Sequence, residues 1–289
     1  MRHAYLIIAH NEFWMLENLI SILDYPENDI FIHIDKKVEY QVKYIPQKSR
    51  LFVVPDDRRV DVRWGEDSQI HCELSLYHLA TETGIYDYYH LLSGVDLPIK
   101  SQQYIHQFFE EHQGKEFIGF MQNAWRTESK IRYYHFFISR PSNKNWKYYL
   151  HGGITAIQKM IHLKRDLCGW KTLKKGANWC SLTHSAVMYL LQNEELIRKR
   201  FKYTYACDEV YKQTILANSA FANSFYCTSD EYEGCQRLVD FKRGNPYVWK
   251  SEDLNTILES KMLFARKFSI KHKDVVECII KLLSKGNAV

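Results

Sequence analysis

The 289-residue chain is short of several features that would decide its class at once. No run approaches ~18 consecutive apolar residues, so no helix is expected to span a membrane. A strand is expected almost from Met1, which leaves no room for a signal peptide. Glycine supplies 12 residues, roughly 4% against the usual ~7%. No internal repeat is visible, and collagen-like and coiled-coil architectures are excluded. The seven cysteines are odd in number, scattered, and contain no C-x-x-C pair. They read as reduced thiols of a cytosolic protein, not as a disulfide framework. Neither G-x-G-x-x-G nor a P-loop occurs, so phosphates are not held in either familiar way. H-E-x-x-H and Asp-x-Asp are also missing, which leaves no standard zinc motif and no standard carboxylate pair for a divalent cation.

What is present is an ordinary globular balance of 46% hydrophobic and 25% charged residues. The length suits one large or two small domains. Aromatics reach 15%, with 20 Tyr and 7 Trp. Such a count suits a surface that stacks on sugars or bases, and equally a tyrosine-rich core. Charge is uneven around the total of +5. Residues 1–123 carry 11 basic against 19 acidic side chains, whereas residues 124–175 carry 12 against 2. The basic stretch suits an anionic partner, either a phosphate-bearing substrate or a membrane surface, or is merely a solvated excursion. Nucleic acid ranks lowest, because no groove-reading motif accompanies the charge.

The first hundred residues alternate between buried-strand and helix patterns. Continuous apolar runs at 4–10, 29–35, 50–55 and 86–94 predict strands. Helical spacing predicts a helix over 12–23, with Met15, Leu16, Leu19, Ile20 and Leu23 inward. A second helix is expected after a cap at Asp67 or Ser68, burying Ile70, Leu74, Leu76 and Leu79. The pattern is β-α-β-α-β, which argues for an α/β fold with a mainly parallel, right-handed nucleotide-binding sheet. Farther on, helices are expected at 105–112, near 154–163, and at 181–192, 208–218, 251–260 and 273–284, with a strand at 116–121. Thr183 or Ser185 is expected to cap the 181–192 helix, and Ser251 the one at 251–260. A single domain is expected, with a nucleotide-binding half over 1–115 and an acceptor-binding and catalytic half over 116–289.

Open α/β sheets bind ligands beyond the carboxyl ends of their strands. That rule points to Ala9, His10 and Asn11, to Asp35, Lys36 and Lys37, and to Ser93, Gly94 and Asp96. Asp35 either accepts from a ribose or base, or is a turn residue. Asp208 and Glu209 open a predicted helix, as caps or as catalytic carboxylates. Arg237, Lys242, Arg243, Lys250, Arg266 and Lys267 form a basic C-terminal set from which a cation can reach a diphosphate. His33 with Asp35 is a weak metal candidate, and Cys180 and Cys207 are the thiols nearest the candidate residues.

Taken together and in order, seven segments resemble one family, the core-2/I-branching β-1,6-N-acetylglucosaminyltransferases with the related xylosyltransferases. They are AYLIIAHNE at 4–12, IFIHIDKK at 30–37, VRWGEDS at 62–68, YHLLSGVDLPIKS at 89–101, ANWCSLTHSAV at 177–187, DEVYKQTIL at 208–216 and MLFARKF at 262–268. The resemblance implies a GT-A-like fold and inverting transfer from a UDP-sugar, N-acetylglucosamine favoured, to a glycan hydroxyl. It implies no metal and no cofactor. It makes Glu209 the general base and Lys267 a diphosphate ligand. It places Ala9, His10, Asn11 and Asp35 around the nucleotide, and Asp96 and Trp179 near the sugar. Glu128, Lys130 and Arg132 become candidates for acceptor contact.

One position departs from the family pattern. Tyr247, in NPYVW, stands where a second diphosphate ligand, an Arg, is common. Either Arg243 or Lys250 replaces it, or the diphosphate is held more weakly. The expected setting is cytoplasmic, in surface-polysaccharide synthesis, with a lipid-linked or oligosaccharide acceptor and peripheral contact with an anionic membrane. The competing readings are a non-catalytic nucleotide- or sugar-binding module, a xylosyl, galactosyl or glucosyl transferase of the same family, and a nucleotidyltransferase. The last would need a metal site and a glycine-rich phosphate loop.

Overall fold

The computed structural model describes residues 1–122, 127–138, 145–167 and 169–284. The chain begins with β1 (His3–Ala9), α1 (Phe13–Leu23), β2 (Asn28–Ile34), β3 (Arg50–Val53), α2 (Ser68–Thr83) and β4 (Tyr88–Ser93). These strands lie parallel in the order β3-β2-β1-β4. Successive side chains on a strand face opposite sides, and here both sides are packed. Ala4 and Leu6 enter one core layer with Phe31, Leu74 and Leu91. Tyr5, Ile7 and Ala9 enter the other with Leu16, Ile32 and Leu92. This is why the strands read as unbroken apolar runs rather than as alternating ones. Each of the leucine, isoleucine and phenylalanine side chains among them, fully buried, contributes about 1.5–3 kcal/mol.

The chain moves outward from β1 to β2 and β3, then crosses back over α2 to place β4 on the other side of β1. The direction of winding therefore reverses between β1 and β4, and the strand ends splay into a crevice at that point.

After β5 (Leu97–Pro98), α3 (Gln102–Glu111), β6 (Phe117–Ile118), α4 (Thr127–Arg132) and α5 (Trp146–Met160), the main sheet resumes with β7 (Cys180–Thr183). That strand is antiparallel to β4 and carries β6 at its outer edge. There follow α6 (His184–Gln192), α7 (Glu194–Phe201), α8 (Tyr211–Ala217), α9 (Glu231–Cys235), β8 (Arg237–Val239), α10 (Leu254–Glu259), β9 (Phe264–Arg266) and α11 (Lys273–Ser284). A second sheet, β5-β9-β8, lies beside the first. Its strands of two or three residues are too short to leave a periodic signal.

Several expected boundaries differ. Residues 180–183 are strand, although 181–192 reads from sequence as one helix. Pairing with β4 claims the first residues, and the helix begins at His184, where the Thr183 hydroxyl accepts the Ala186 N–H at 3.2 Å. The helix expected near 154–163 begins earlier, at Trp146, capped by Asn145. The expected 208–218 helix is a short 3-10 turn, Cys207–Glu209, followed by α8. Ser251 opens a 3-10 turn and does not cap α10; the Asp253 carboxylate takes the Lys250 N–H at 3.0 Å instead.

Close backbone packing brings the later segments up to the strand ends. A Cβ on Gly176 would stand 1.9 Å from the Gly119 carbonyl oxygen, and one on Gly119 would stand 2.4 Å from that of Glu231. Only glycine fits either position. The Gly176 N–H donates to the Glu209 carbonyl at 2.9 Å, which ties the 174–179 segment to the 207–209 turn.

Candidate functional site

A cavity of about 690 Å³ opens at the C-terminal ends of β1, β2 and β4. Ile8 and His10 come from β1, Asp35 and Lys37 from β2, and Leu92 and Ser93 from β4. The facing walls come from the 175–179 segment, the 207–209 turn, the start of α9, and Arg266 in β9. Trp64, Trp179, Tyr232 and Phe241 supply flat aromatic surface.

Asp35 is buried and closes a turn on itself. Its Oδ1 accepts the Lys37 N–H at 2.9 Å, and its Oδ2 lies 3.1 Å from Lys37 Nζ. A carboxylate fixed beside a strand end in this way can accept hydroxyl or N–H groups from a ligand.

The Asp-Glu pair divides into two environments. Glu209 Oε2 stands 3.3 Å from Lys130 Nζ and 3.2 Å from Lys175 Nζ, and its side chain is partly exposed to the cavity. Burial pushes the Lys130 ammonium below its usual range. Burial, with the charges of Glu209 and Glu73 behind it, pushes the Asp208 carboxyl up to about 7. Two adjacent carboxylates with different environments suit a division of labour, and the accessible one is Glu209.

Arg266 supplies the positive charge on the opposite wall. Its guanidinium donates to Asp96 Oδ1 at 2.7 Å and to the Ser93 hydroxyl, and lies 4.4 Å from the Trp179 ring centre. Asp96 is buried and also accepts the Ser93 N–H at 2.7 Å. It therefore orients two groups that line the cavity without lining it itself.

Behind the cavity, Lys212 is buried between Glu73 and Asn178, with 2.5 Å from its Nζ to Asn178 Oδ1. Tyr211 donates to the same Glu73 carboxylate at 2.6 Å. Asn178 faces the cavity, so this buried pair fixes a wall residue.

The candidates from sequence thus separate. His10, Asp35, Trp179 and Glu209 meet in one cavity, and Lys130 stands directly behind Glu209. The Ala9 side chain is in the core, though its carbonyl accepts the Asp35 N–H at 2.9 Å. Asn11 is exposed beyond the cavity lining. Glu128 and Arg132 pair with each other on α4, away from the lining. Arg243 is held by Asp240 at 2.5 Å and Asp253 at 2.6 Å, its guanidinium stacked 3.9 Å from the Tyr247 ring centre. Neither it nor Tyr247 lines the cavity, and Lys250 pairs with Glu252 at 3.8 Å. Lys267 is not a lining residue either; its neighbour Arg266 is. Arg237 is wholly buried, donating to the Cys235, Leu91 and Cys180 carbonyls.

The metal and thiol candidates are occupied by structure. His33 Nε2 accepts the Val60 N–H at 2.9 Å, and burial lowers that imidazole to about 4. Among the described residues no three His, Cys, Asp or Glu side chains are grouped as a metal ion requires. Cys180 and Cys207 are buried, and burial raises both thiols.

Sequence reasoning did not single out Lys175, Glu231, Tyr232 or Phe241 as lining residues. Lys175 was visible only as part of the basic stretch. Glu231 follows a helix cap at Asp230, whose side chain accepts the Tyr232 and Glu233 N–H groups at 2.8 Å. Local pattern reads that segment as a helix start and nothing more.

An open α/β sheet with a cavity at its switch point, a cation on one wall and a reachable carboxylate on the other, defines a class. Its lining sets a group of the kind that binds anions across from a group of the kind that accepts protons. The family model described as Core-2/I-Branching enzyme matches residues 3–246, and the chain belongs to that family of glycosyltransferases, with its GT-A-like fold. A xylosyltransferase of Ciona intestinalis is 21% identical over 290 residues, covering 93% of this chain and 32% of that protein. Xylosyltransferase 2 of Rattus norvegicus is 22% identical over 310 residues, covering 96% and 33%. The chain thus spans about a third of the length of these curated relatives.

Proposed function

We propose that this chain is an inverting glycosyltransferase that uses a UDP-sugar and needs no metal. The observation that carries the reading is that Glu209 and Arg266 line one cavity at the sheet's switch point. Uridine is placed over the ends of β1 and β2, where Asp35 can accept from it. The diphosphate lies toward Arg266, whose guanidinium matches phosphate oxygens in pairs. Glu209 takes the proton of an acceptor hydroxyl as that oxygen bonds to the anomeric carbon from the face opposite the diphosphate. The bond from the anomeric carbon to the phosphate oxygen breaks with its electron pair, UDP departs, and the new linkage is β. Arg266 stabilises the charge that grows on the leaving group, the part a metal ion plays elsewhere.

N-acetylglucosamine is the donor sugar favoured by the core-2/I-branching resemblance. The relatives named xylosyltransferases favour xylose as a second reading. A donor panel including both UDP-sugars, assayed with the Glu209→Gln variant alongside, tests the proposal. The variant is expected to bind UDP normally and to lose turnover by roughly 10²–10⁴-fold, the usual worth of a general base. Unimpaired turnover in the variant would remove Glu209 from the mechanism.

A further inference from the structure

Helix α5 is inverted relative to the usual amphipathic arrangement. Two of its polar side chains, His151 and Gln158, face inward. Gln158 is buried, accepting the Tyr134 N–H and donating to the Tyr134 carbonyl, both at 2.8 Å. The His151 ring packs 5.0 Å from that of His135. Its apolar side chains face outward. Trp146, Tyr149, Ile157 and Met160 fall on one helical stripe and are 64%, 66%, 54% and 73% exposed. Ile161 and Leu163 continue the surface beyond the helix, and an apolar groove of about 370 Å³ runs between them and Tyr134 and Phe136.

The exposed charge beside this surface is mainly basic, with Asp166 the acidic exception in the 159–166 segment. Lys159 and Lys164 are exposed at the end of α5. Lys202 is exposed next to Tyr203, whose ring lies 4.8 Å from that of Phe136. None of these three lysines has a carboxylate ion-pair partner among the described residues. The surrounding stretch, 124–175, has only two acidic residues against twelve basic ones. Pairing this face with a second copy of the chain would bring like charges together.

We propose that this face docks on the surface of an anionic lipid bilayer. A bilayer accepts the aliphatic stripe into its acyl boundary and Trp146 and Tyr149 at headgroup level, and its phosphates meet the lysines. A chain of three side chains, His151, Tyr205 and Lys130, links the docked surface to Glu209 in the cavity. The inward-facing His151 ring lies 5.9 Å from Tyr205, over which Lys130 Nζ sits at 5.1 Å, and Lys130 reaches Glu209. Docking there presents the cavity to a substrate held at the membrane. The inference stands on the surface itself and not on the transferase reading, and its test reads lipid association rather than turnover.

The experiment is flotation of the full chain with vesicles of phosphatidylcholine alone or mixed with phosphatidylglycerol, at low and high salt. The proposal expects binding to the mixed vesicles only, weakened by salt. The triple variant Trp146→Ser, Ile157→Ser, Met160→Ser is expected to lose binding while keeping the wild-type melting temperature, since all three side chains are exposed. Lys159→Gln with Lys164→Gln is expected to weaken binding roughly 30-fold. Absence of wild-type binding to the mixed vesicles at low salt would overturn the proposal. So would undiminished binding in either variant, or a dimer in light scattering that the triple variant dissolves.

Discussion

The Arg266 guanidinium stacks on Trp179, 4.4 Å from the ring centre, while the Nη1 at its edge donates to Asp96 at 2.7 Å. One contact lays the cation flat against the cavity wall, and the other fixes its rotation. A guanidinium held from two sides loses little freedom when it meets an anion, so it is suited to bind a diphosphate without rearrangement.

Arg266→Met is therefore expected to weaken UDP binding by roughly 10–100-fold, the worth of charge-assisted hydrogen bonds of about 1.5–3 kcal/mol. Asp96→Asn is expected to produce a smaller loss of the same kind, because Asp96 acts through Arg266 and Ser93. Isothermal titration of UDP into each variant checks both expectations. Equal binding by wild type and Arg266→Met would move the diphosphate away from this wall.

Glu73 and Lys212 are both fully buried and face each other. Removing one partner strands the other charge in the interior, so Lys212→Met is expected to destabilise the fold by about 3–5 kcal/mol. The double variant Glu73→Gln, Lys212→Met should recover much of that loss, since no unpaired charge remains. Chemical denaturation of the wild type and both variants measures the recovery. A double variant no more stable than Lys212→Met would show that packing, not charge, dominates there.

The buried rings beneath β1 make stability depend on pH. Burial holds His3 and His90 well below the usual histidine range, helped by His90 and His106 beside His3 and by Arg237 and His106 beside His90, and burial lowers His106 to about 4. In the unfolded chain these imidazoles charge near ~6.5. The stability they contribute is present above that value and is lost as the pH falls through it toward their folded values. Glu116 acts in the opposite sense. Burial raises its carboxyl from 4.5 to about 7, so its contribution declines as the pH climbs through that interval. A substitution isolates the histidine effect from this opposing one. His106→Gln, which can still donate to Asn28 Oδ1, is expected to lose less stability than wild type between neutral and mildly acidic pH. Denaturation midpoints at the two pH values check it.

The parallel half of the fold was legible because β1, β2 and β4 are packed on both faces, and full burial writes itself as an unbroken apolar run. Helices α1, α2 and α11 were legible through their one-sided burial. β7 was not, because four residues paired between β4 and β6 leave no period that outweighs the helical spacing following them. Helix α5 was cut short for a related reason. Its apolar residues face outward, so the pattern that marks a core-facing helix begins late and points the wrong way.

Within the site, strand-end residues followed from topology. His10 and Asp35 are where a parallel sheet must place them, and Glu209 emerged through a motif resemblance. Lys175 and Glu231 reach the cavity only through tertiary packing at Gly119 and Gly176, which no local pattern encodes. The C-terminal cations show the same limit. Sequence grouped six basic residues, and the fold sends Arg266 into the cavity, buries Arg237 in the core, and commits Arg243 to Asp240 and Asp253.

The proposed nucleotide site uses protein cations in place of a metal. Calorimetric titration of UDP into the protein in excess EDTA tests it most directly. Micromolar binding is expected under that condition, unchanged when manganese replaces the chelator. Binding that appears only with manganese, or none under either condition, would contradict it.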